Sequence, residues 1–311
     1  MRPLSFFEQK YNSATEFIGK FEDVELFIRR EDQIHPVISG NKFRKLKYNL
    51  KEAQNNKSTH ILTFGGAFSN HIAATAEACH LLGIQATGII RGDELGRNLE
   101  NTLANNATLK FAHHKGMQLQ FVSRTDFRLK EEMPIVKALI DQDPSIFIIP
   151  EGGTNTLAIK GCYEILQNDD TFDFICTSVG TGGTLAGLIE ASKAHQHCIG
   201  FSALKGNFLS KEIGKWTSKS NWSLETGYHF GGYAKVNSEL IAFINKFQKT
   251  YGIPLDPVYT GKLFYGIFEM IEAGYFPKNT RILAVHTGGL QGIDGMNQAL
   301  KQKGLQTIHR L

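Results

Sequence analysis

The segment Phe174-Ile175-Cys176-Thr177-Ser178-Val179-Gly180-Thr181-Gly182-Gly183-Thr184 decides the fold of this chain. Its first six residues form an apolar, β-rich run, the next five form a glycine turn, and the apolar segment 185–194 then predicts a helix. A strand joined directly to a helix by a short turn is typical of α/β proteins with parallel sheets. The chain is therefore expected to be α/β, provided that this unit recurs.

Similar units do recur along the chain. Strands are predicted at 60–64, 86–90, 118–122, 145–150, 174–179, 197–201 and 281–285, and helices at 42–54, 69–82, 130–141 and 185–194. Apolar strands that alternate with helices favour parallel-rich sheets flanked by helices on both faces. The polar stretch 211–225 has weak periodicity and predicts a loop with a helical piece. The predicted fold class is α/β.

Two breaks in this pattern, near residues 50–57 and 150–153, divide the predicted units into two groups. A chain of 311 residues can form one large α/β domain or two smaller domains that share an interface. The breaks favour two domains. The larger would comprise residues 1–52 and 151–311, and a smaller α/β domain, residues 53–150, would be inserted in it.

The composition argues against several classes of protein. Hydrophobic residues make up 41% and charged residues 21% of the chain, as in an ordinary globular protein. The net charge is +4 without a run of five or six basic residues, so a nucleic-acid partner is not implied. The four cysteines lack metal-ligand spacing, so no metal site is predicted. Because neither a membrane span nor a signal peptide is visible, we expect a cytoplasmic protein.

The glycine turn Gly180-Thr181-Gly182-Gly183-Thr184 is a candidate phosphate site. Glycines permit close approach of the backbone, and a helix N-terminus presents unpaired N–H groups and the positive end of the helix dipole. The two threonine hydroxyls add further donors. The spacing differs from the Walker and dinucleotide-binding patterns. A tight turn without a ligand explains the same residues, so this segment alone leaves both interpretations open.

Gly65-Gly66-Ala67-Phe68-Ser69-Asn70-His71 is a second turn of this kind. Its backbone N–H groups and the side chains of Ser69 and Asn70 form a candidate carboxylate site. The alternative is helix capping, because Ser or Asn before an alanine-rich helix is a common N-cap. His71 is equally compatible with a helical residue that has no chemical role.

Two more glycine turns, Pro150-Glu151-Gly152-Gly153 and His286-Thr287-Gly288-Gly289, also follow apolar strands. Ligands of open α/β sheets bind at the carboxyl ends of the strands. The four turns therefore predict one crevice that all of them line. The segment Tyr259-Thr260-Gly261-Lys262, which opens a helix, is a candidate fifth side of it.

Lys42 lies in Ser39-Gly40-Asn41-Lys42-Phe43-Arg44-Lys45-Leu46, at the start of a predicted helix. The positive end of the helix dipole disfavours the ammonium form of an amine at this position. A neutral lysine amine is the form that condenses with a carbonyl cofactor. A solvated surface lysine is the alternative interpretation of this segment.

Taken together, these motifs resemble the D-cysteine desulfhydrase and 1-aminocyclopropane-1-carboxylate deaminase family. They occur in the family's order and span residues 39–289, nearly the whole chain. The resemblance implies a two-domain, tryptophan-synthase-β-like fold (fold type II), with pyridoxal 5'-phosphate as the cofactor. It also implies a small amino-acid substrate and a homodimer.

The resemblance further implies roles for individual residues. Lys42 would bind the cofactor covalently and move protons. The implied cofactor-binding residues are Lys42, Asn70, Gly180, Thr181, Gly182, Gly183, Thr184 and Thr287. The implied catalytic residues are Lys42, Ser69, Tyr259 and Tyr233. The implied substrate-binding residues are Ser69, Asn70 and His71.

Two positions favour β-elimination over the opening of a cyclopropane ring. The deaminases that this chain resembles carry Glu in place of Thr260, and they tend to carry Leu in place of Thr287. A hydroxyl beside the pyridine nitrogen would leave the cofactor ring largely neutral, whereas a carboxylate would keep it protonated. A less electron-poor ring suits β-elimination, because a good leaving group relieves the carbanion. The resemblance therefore predicts a carbon–sulfur lyase that converts D-cysteine to pyruvate, ammonia and sulfide.

Other functions are compatible with the same motifs. They are the cyclopropane deaminase, another D-amino-acid lyase or racemase of this fold, and a binding protein that kept the fold without catalysis. Phe68 stands where the family often has Gln, and Lys262 fits either a cofactor-side role or a helix surface. The sequence leaves the substrate, its stereochemistry and these two roles open.

Overall fold

The computed structural model describes residues 5–8 and 12–309. The segment 1–7, used for the signal-peptide prediction, lies partly outside them. The described strands are β1 (Thr15–Phe21), β2 (Val24–Arg29), β3 (His60–Gly66), β4 (Gln85–Arg91), β5 (Met117–Val122), β6 (Ile146–Ile149), β7 (Phe174–Val179), β8 (His197–Ser202), β9 (Trp222–Glu225) and β10 (Thr280–Val285). The described helices are α1 (Ser5–Glu8), α2 (Asn41–Asn55), α3 (Asn70–Leu82), α4 (Leu99–Asn105), α5 (Ala107–His114), α6 (Pro134–Gln142), α7 (Thr156–Tyr163), α8 (Gly183–Ala191), α9 (Phe208–Gly214), α10 (Ser238–Tyr251), α11 (Thr260–Glu272) and α12 (Gly292–Gln302).

The strands form two sheets. The larger has the order β1-β2-β10-β7-β8-β9 and the smaller the order β5-β4-β3-β6. The pairs described in both sheets are parallel, except β1 with β2, which form an antiparallel hairpin. The predicted α/β class with parallel-rich sheets is confirmed. The smaller sheet comes from residues 60–149, but the division into domains 1–52 with 151–311 and 53–150 stays a prediction.

Both faces of the larger sheet are buried. On β7, Ile175 belongs to one core with Leu188 of α8, whereas its neighbour Cys176 belongs to another core with Ile267 of α11. Successive residues of a strand point to opposite faces of the sheet. Helices therefore cover the sheet on both sides, which explains why its central strands are continuous apolar runs.

The sequence pattern does not predict β1, β2 or β9. The β1–β2 hairpin turns at Glu22 and Asp23 without glycine and is not followed directly by a helix, so it lacks the signal that marks the other units. Strand β9 is short and pairs only with β8, at the sheet edge. An edge strand has a neighbouring strand on one side only, so its side chains are less buried. It can therefore form without a continuous apolar run. The helical piece expected in 211–225 is α9, which starts earlier, at Phe208.

The helix predicted at 130–141 begins later than expected. A distorted 3₁₀ segment, Asp126–Glu132, precedes it, and Lys130 within that segment has φ 51° and ψ −119°. Helix α6 starts at Pro134, whose ring disfavours helical backbone at the preceding residue, Met133. The proline therefore sets the true start of the helix.

Helix α2 follows β2 of the larger sheet, precedes β3 of the smaller sheet and is amphipathic. Its buried residues Leu46 and Leu50 share a core with Ile61 of β3 and Ile72 of α3. Burial of each such side chain contributes about 1.5–3 kcal/mol relative to exposure. This packing joins α2, the helix that carries Lys42, to the core that includes residues of β3 and α3.

None of the helices in the described part of the chain is long and apolar enough to cross a membrane.

Candidate active site

One cavity of about 890 Å³ lies where the glycine turns meet. The turns after β3, β6, β7 and β10 all line it, as predicted for a single crevice. The predicted site residues that line it are Lys42, Ser69, Asn70, His71, Gly180, Thr181, Gly182, Thr184, Tyr233, Tyr259 and Thr287. Gly183 does not line it, because it faces inward: a Cβ built on Gly183 would lie 2.8 Å from Cγ2 of Thr154.

Lys42 is the second residue of α2, and a direct backbone contact fixes this end of the helix. The N-cap residue Gly40 has φ 62° and ψ −143°, and a Cβ built on it would lie 2.0 Å from the carbonyl oxygen of Thr287. The N–H of Asn41 donates to the same carbonyl oxygen at 3.4 Å. Only glycine permits this conformation and this approach. The turn after β10 therefore positions Lys42.

The Lys42 amine is poised to lose its proton near neutral pH. The side chain borders the cavity and keeps part of its surface exposed to it. Desolvation, followed by the positive charge of Lys45, lowers its pKa from 10.5 to about 7. Its position in the first turn of α2 acts in the same direction. A substantial fraction of this amine is therefore neutral, and hence nucleophilic, at pH 7.

Lys45 is a cavity residue that the sequence-based prediction missed. It is only 2% exposed, and its Nζ donates to the carbonyl oxygen of Gly152 at 3.1 Å and to Oγ1 of Thr154 at 3.0 Å. The same Nζ lies 3.5 Å from Oγ1 of Thr181, in the glycine turn. Burial lowers its pKa from the usual lysine value. The spacing of Lys42 and Lys45, three residues apart on one helix face, is the signal that could have identified it.

The turn from Gly180 to Thr184 has the donors that an oxyanion needs. Helix α8 begins at Gly183 after the N-cap Gly182, at φ 86°, with no side-chain cap on its first N–H groups. Such groups accept anions readily. Lys45 brings a buried cation to the same turn, and the side-chain amide of Asn41 donates to Oγ1 of Thr184 at 2.8 Å. This donor set fits a phosphate group.

Ser69 and Asn70 occupy the start of α3. Ser69 is the N-cap, because its Oγ accepts the N–H of Ile72 at 3.3 Å, so the capping alternative holds for this side chain. Asn70 lies against the turn after β10: a Cβ built on Gly289 would lie 2.7 Å from Nδ2 of Asn70. The N–H groups of the first helical turn precede the intrahelical ladder and face the same cavity.

The ring of His71 is directed inward. Its Nε2 lies 2.7 Å from Oγ1 of Thr63, and that hydroxyl donates to the carbonyl oxygen of Ile149. This pattern assigns the ring proton to Nε2 and leaves Nδ1, which is buried and without a partner among the described residues, as an acceptor. Burial, then the charges of Lys42 and Lys45, hold the His71 pKa well below its usual value. The ring proton is therefore directed away from the cavity, so the predicted role of His71 in binding a carboxylate falls to its main-chain N–H.

Two tyrosines line the opposite side of the cavity. The ring centroids of Tyr233 and Tyr259 lie 6.3 Å apart at 66°, and a Cβ built on Gly180 would lie 3.1 Å from Cε1 of Tyr259. Burial raises the pKa of both hydroxyls, so both are protonated donors at neutral pH. Tyr259 therefore packs on the glycine turn Gly180–Thr184, whereas Tyr233 remains 44% exposed.

Thr260 does not face the cavity, in contrast to the expectation that its hydroxyl lies beside the cofactor ring. It is fully buried, and its hydroxyl donates to Oδ1 of Asp256 and accepts the Asp256 N–H, both at 2.8 Å. Of the two threonines that favour β-elimination, Thr287 does line the cavity, and its hydroxyl lies 3.1 Å from Oγ of Ser178. Asp256 in turn accepts the N–H of Tyr259 at 3.0 Å and so positions that tyrosine.

Lys262 neither lines this cavity nor lies on the helix surface. It is 1% exposed, and its Nζ donates to the carbonyl oxygens of His229 and Gly232, both at 2.8 Å. Burial lowers its pKa to about 8. Lys262 therefore holds the turn that leads directly into Tyr233.

Within the described part of the chain, no group of three or more His, Cys, Asp or Glu side chains could hold a metal ion.

Comparison with known proteins gives the family of the chain. The family profile described as "Pyridoxal-phosphate dependent enzyme" matches residues 14–288. A Thermotoga maritima protein, provisionally named a 1-aminocyclopropane-1-carboxylate deaminase, is 31% identical over 298 residues, which cover 88% of this chain and 92% of the relative. An Arabidopsis thaliana mitochondrial protein, named a bifunctional D-cysteine desulfhydrase/1-aminocyclopropane-1-carboxylate deaminase, is 29% identical over 306 residues, which cover 86% of this chain and 73% of the relative.

The fold comparison points the same way. A crystal structure described as an ACC deaminase homologue superposes with a TM-score of 0.78 at 27% identity and covers 94% of both chains. The tryptophan-synthase-β-like fold is thereby confirmed, as is pyridoxal phosphate as the family's cofactor. The residues fit that cofactor: Lys42 offers an amine of lowered pKa, and the turn from Gly180 to Thr184, with Lys45, offers a phosphate site. The chain belongs to the pyridoxal-phosphate dependent enzyme family.

Proposed function

We propose that this pyridoxal-phosphate dependent enzyme eliminates the β-substituent of a small D-amino acid, with D-cysteine as the preferred substrate. One observation carries the choice. The hydroxyl of Thr287, paired with that of Ser178 at 3.1 Å, lines the cavity where the deaminases that this chain resembles tend to carry Leu. Asp256 also lines the cavity, but its carboxylate already accepts hydrogen bonds from the N–H groups of Val258, Tyr259 and Thr260.

When bound, pyridoxal phosphate supplies a carbonyl that condenses with the substrate amine and a conjugated ring that withdraws electrons from Cα. Lys42 is the base in this proposal, because its Nζ has a pKa of about 7 and accepts the α-proton without a large energetic penalty. Ser69, Asn70 and the main-chain N–H of His71 orient the carboxylate. The protonated hydroxyls of Tyr259 and Tyr233 hold the leaving sulfur by hydrogen bonds.

The reaction balances with water as the only co-reactant. The Cβ–S bond breaks and the sulfur leaves as hydrogen sulfide after taking up a proton. The remaining three-carbon unit is hydrolysed at its C–N bond. One D-cysteine and one water therefore give one pyruvate, one ammonium ion and one hydrogen sulfide.

A second candidate function is 1-aminocyclopropane-1-carboxylate deamination. The name of the Thermotoga relative favours it, whereas the name of the Arabidopsis relative gives both activities. That substrate has no α-hydrogen, so its ring must open without the proton abstraction assigned to Lys42, and it yields 2-oxobutyrate in place of pyruvate. A homodimer, which the resemblance implies, and a cytoplasmic location are further proposals.

A substrate panel tests the proposal. The purified holoenzyme is incubated with D-cysteine, L-cysteine, D-serine and the cyclopropane amino acid, and pyruvate, sulfide and 2-oxobutyrate are measured. We expect equimolar pyruvate and sulfide from D-cysteine as the fastest reaction. Formation of 2-oxobutyrate as the dominant activity would contradict the preference for β-elimination.

Lys42→Ala tests the assigned base and cofactor attachment. Removal of a positioned base costs about 10²–10⁴-fold in rate, and borohydride reduction should no longer fix the cofactor to the protein. Lys51→Ala is the matched control, because Lys51 is an exposed lysine on the same helix α2. Wild-type turnover in the Lys42 variant would rule out the assignment.

A further inference from the structure

A second cavity, of about 610 Å³, adjoins the active-site cavity. The two share Gly66, Phe68 and Arg91 in their linings. The second cavity lies at the carboxyl ends of β4 and β5 in the smaller sheet, between Arg91 and the segment that follows β5. None of the roles described above uses it.

The lining of this cavity is strongly basic. It contains Arg91, Arg124, Arg128 and Lys130 but only one carboxylate, that of Glu94. Arg124 pairs with Glu94 at 2.5 Å, and Lys130 pairs with Glu151 at 2.7 Å. Arg91 and Arg128 have no ion pair among the residues that the structure describes. The cavity is therefore lined by two solvent-exposed guanidinium groups, those of Arg91 and Arg128, whose N–H donors are not taken up by an ion pair within the described part of the chain.

Arg91 links this cavity to the active site. It is the last residue of β4 and stands in register with Gly66 of β3, whose turn leads into Ser69 and Asn70. A Cβ built on Gly66 would lie 3.4 Å from a terminal nitrogen of Arg91. The positive charge of Arg91 acts to lower the pKa of Tyr233, although burial raises that pKa overall. The guanidinium thus lies within electrostatic reach of the tyrosine that faces the substrate.

The ring of Phe127 contacts two of the basic side chains that line the cavity, those of Arg91 and Lys130. The guanidinium carbon of Arg91 lies 5.7 Å from the ring centroid of Phe127, and Nζ of Lys130 lies 3.5 Å from it. Phe127 is itself buried. Lys130 is already paired with Glu151, whereas the guanidinium of Arg91 has no ion pair among the described residues and keeps its N–H donors available. This arrangement suits a ligand that needs several N–H donors at once.

We propose that this basic cavity is an oxyanion site that binds the phosphate group on the side chain of an amino acid whose α-carbon lies in the active-site cavity. Guanidinium groups donate two parallel hydrogen bonds to a phosphate, and these are stronger than hydrogen bonds between neutral groups. The inference rests on the proposed function and extends it to substrates whose β-leaving group is phosphate. Such a reaction balances as before: the Cβ–O bond breaks, and one water gives pyruvate, ammonium and inorganic phosphate.

Kinetics on the holoenzyme test whether the basic cavity binds the phosphate group of a substrate. The ratio of kcat/KM for O-phospho-D-serine to that for D-serine is measured in the wild type, Arg91→Met, Arg128→Met and Arg97→Met. We expect the ratio to fall about 10- to 100-fold in the first two variants, since each loses hydrogen bonds to a charged group. Arg97→Met is the matched control, because Arg97 is exposed in the same region but lines neither cavity. We expect its ratio to equal that of the wild type.

Calorimetric titration of the holoenzyme with inorganic phosphate tests whether the same cavity binds a free oxyanion, independently of turnover. Phosphate binding that weakens in Arg91→Met and Arg128→Met, without turnover of O-phospho-D-serine, would support an oxyanion site filled from solution. A kcat/KM ratio and a phosphate affinity that are both the same in Arg91→Met as in the wild type would overturn the oxyanion site. If no D-amino acid yields pyruvate while phosphate binding still depends on Arg91, the proposed function fails and the site stands.

Discussion

The two ends of the active-site cavity differ in how firmly their residues are held. At the phosphate-binding end, Lys45 is 2% exposed and reaches oxygens of Gly152, Thr154 and Thr181. The backbone of Gly40 packs directly on that of Thr287. Each group at this end has several contacts with segments that are far apart in the sequence.

The substrate-facing end has fewer such contacts. Tyr233 is 44% exposed and Phe68 is 50% exposed. Two residues near Tyr233 that are not glycine have a positive φ, 52° at Phe230 and 55° at Ala234. The turn before Tyr233 is held by the hydrogen bonds of Lys262 to two carbonyl oxygens. Exposed segments with few buried contacts open at low free-energy cost.

The difference in packing suggests a different role for each end of the cavity. The close and numerous contacts at the proposed phosphate-binding end suit a site that holds the same cofactor whatever the substrate. The substrate end determines which side chain is accepted, and a loosely packed end can change a residue such as Phe68 without disturbing the core. Mutations at the two ends should therefore affect different measurements.

The largest effect is expected for Gly40→Ala at the phosphate end. Its Cβ would lie 2.0 Å from the Thr287 carbonyl oxygen, at a backbone conformation with φ 62°, so the two turns must separate. We expect the free energy of unfolding to fall by roughly 2–4 kcal/mol and cofactor binding to be lost. Chemical denaturation measures the first. Gly214→Ala is the control, since a Cβ there meets nothing within 4 Å, and equal stability of both variants would contradict the packing argument.

Lys45→Met should weaken cofactor binding without unfolding the protein. The variant removes a buried cation that contacts the phosphate-binding turn, so we expect Kd for pyridoxal phosphate to rise about 10- to 100-fold. Absorbance titration of the apoprotein gives this value, with Lys51→Met as the exposed control on the same helix. An unchanged Kd would remove Lys45 from the phosphate site.

Lys262→Met tests the substrate end. Loss of both carbonyl contacts frees the turn before Tyr233, and we expect the substrate KM to rise about tenfold while Kd for the cofactor stays unchanged. Lys262→Arg should recover part of the loss, because it keeps a charged donor, and Lys246→Met is an exposed control on the neighbouring helix α10. A variant in which cofactor affinity falls together with substrate affinity would show that Lys262 supports the whole domain.

The smallest effect is a shift in pH dependence. In the apoprotein, the Lys42 amine should react with an acylating reagent with a midpoint near its pKa of about 7, because only the neutral form is nucleophilic. The charge of Lys45 is one cause of this low value, so Lys45→Met should raise the Lys42 pKa and move the midpoint to higher pH. Peptide mass spectrometry across a pH series follows the labelling. A midpoint that moves to lower pH would contradict the assigned sign.

Much of the site could be predicted from local patterns. The strand runs, the glycine turns and the helix start at Lys42 are each encoded within about a dozen residues, and parallel strands bring their carboxyl ends together. Strands β1 and β9 escaped prediction because their partly exposed residues give no continuous apolar run, and β2 escaped because charged Glu25 and Arg29 interrupt its buried residues. Lys45, by contrast, had a local signal in its spacing from Lys42, but its partners lie more than 100 residues away.

The sequence by itself determined the α/β class, the four glycine turns and the candidate lysine, because backbone conformation and hydrophobic period are local properties. Only the tertiary structure decided where the side chains point. It directs the His71 ring to Thr63 and the Thr260 hydroxyl to Asp256, seats Lys45 on the phosphate-binding turn, and gathers Arg91 and Arg128 in one cavity. These side-chain directions depend on burial and on partners that packing brings together from distant parts of the chain. A short segment of sequence contains neither kind of information.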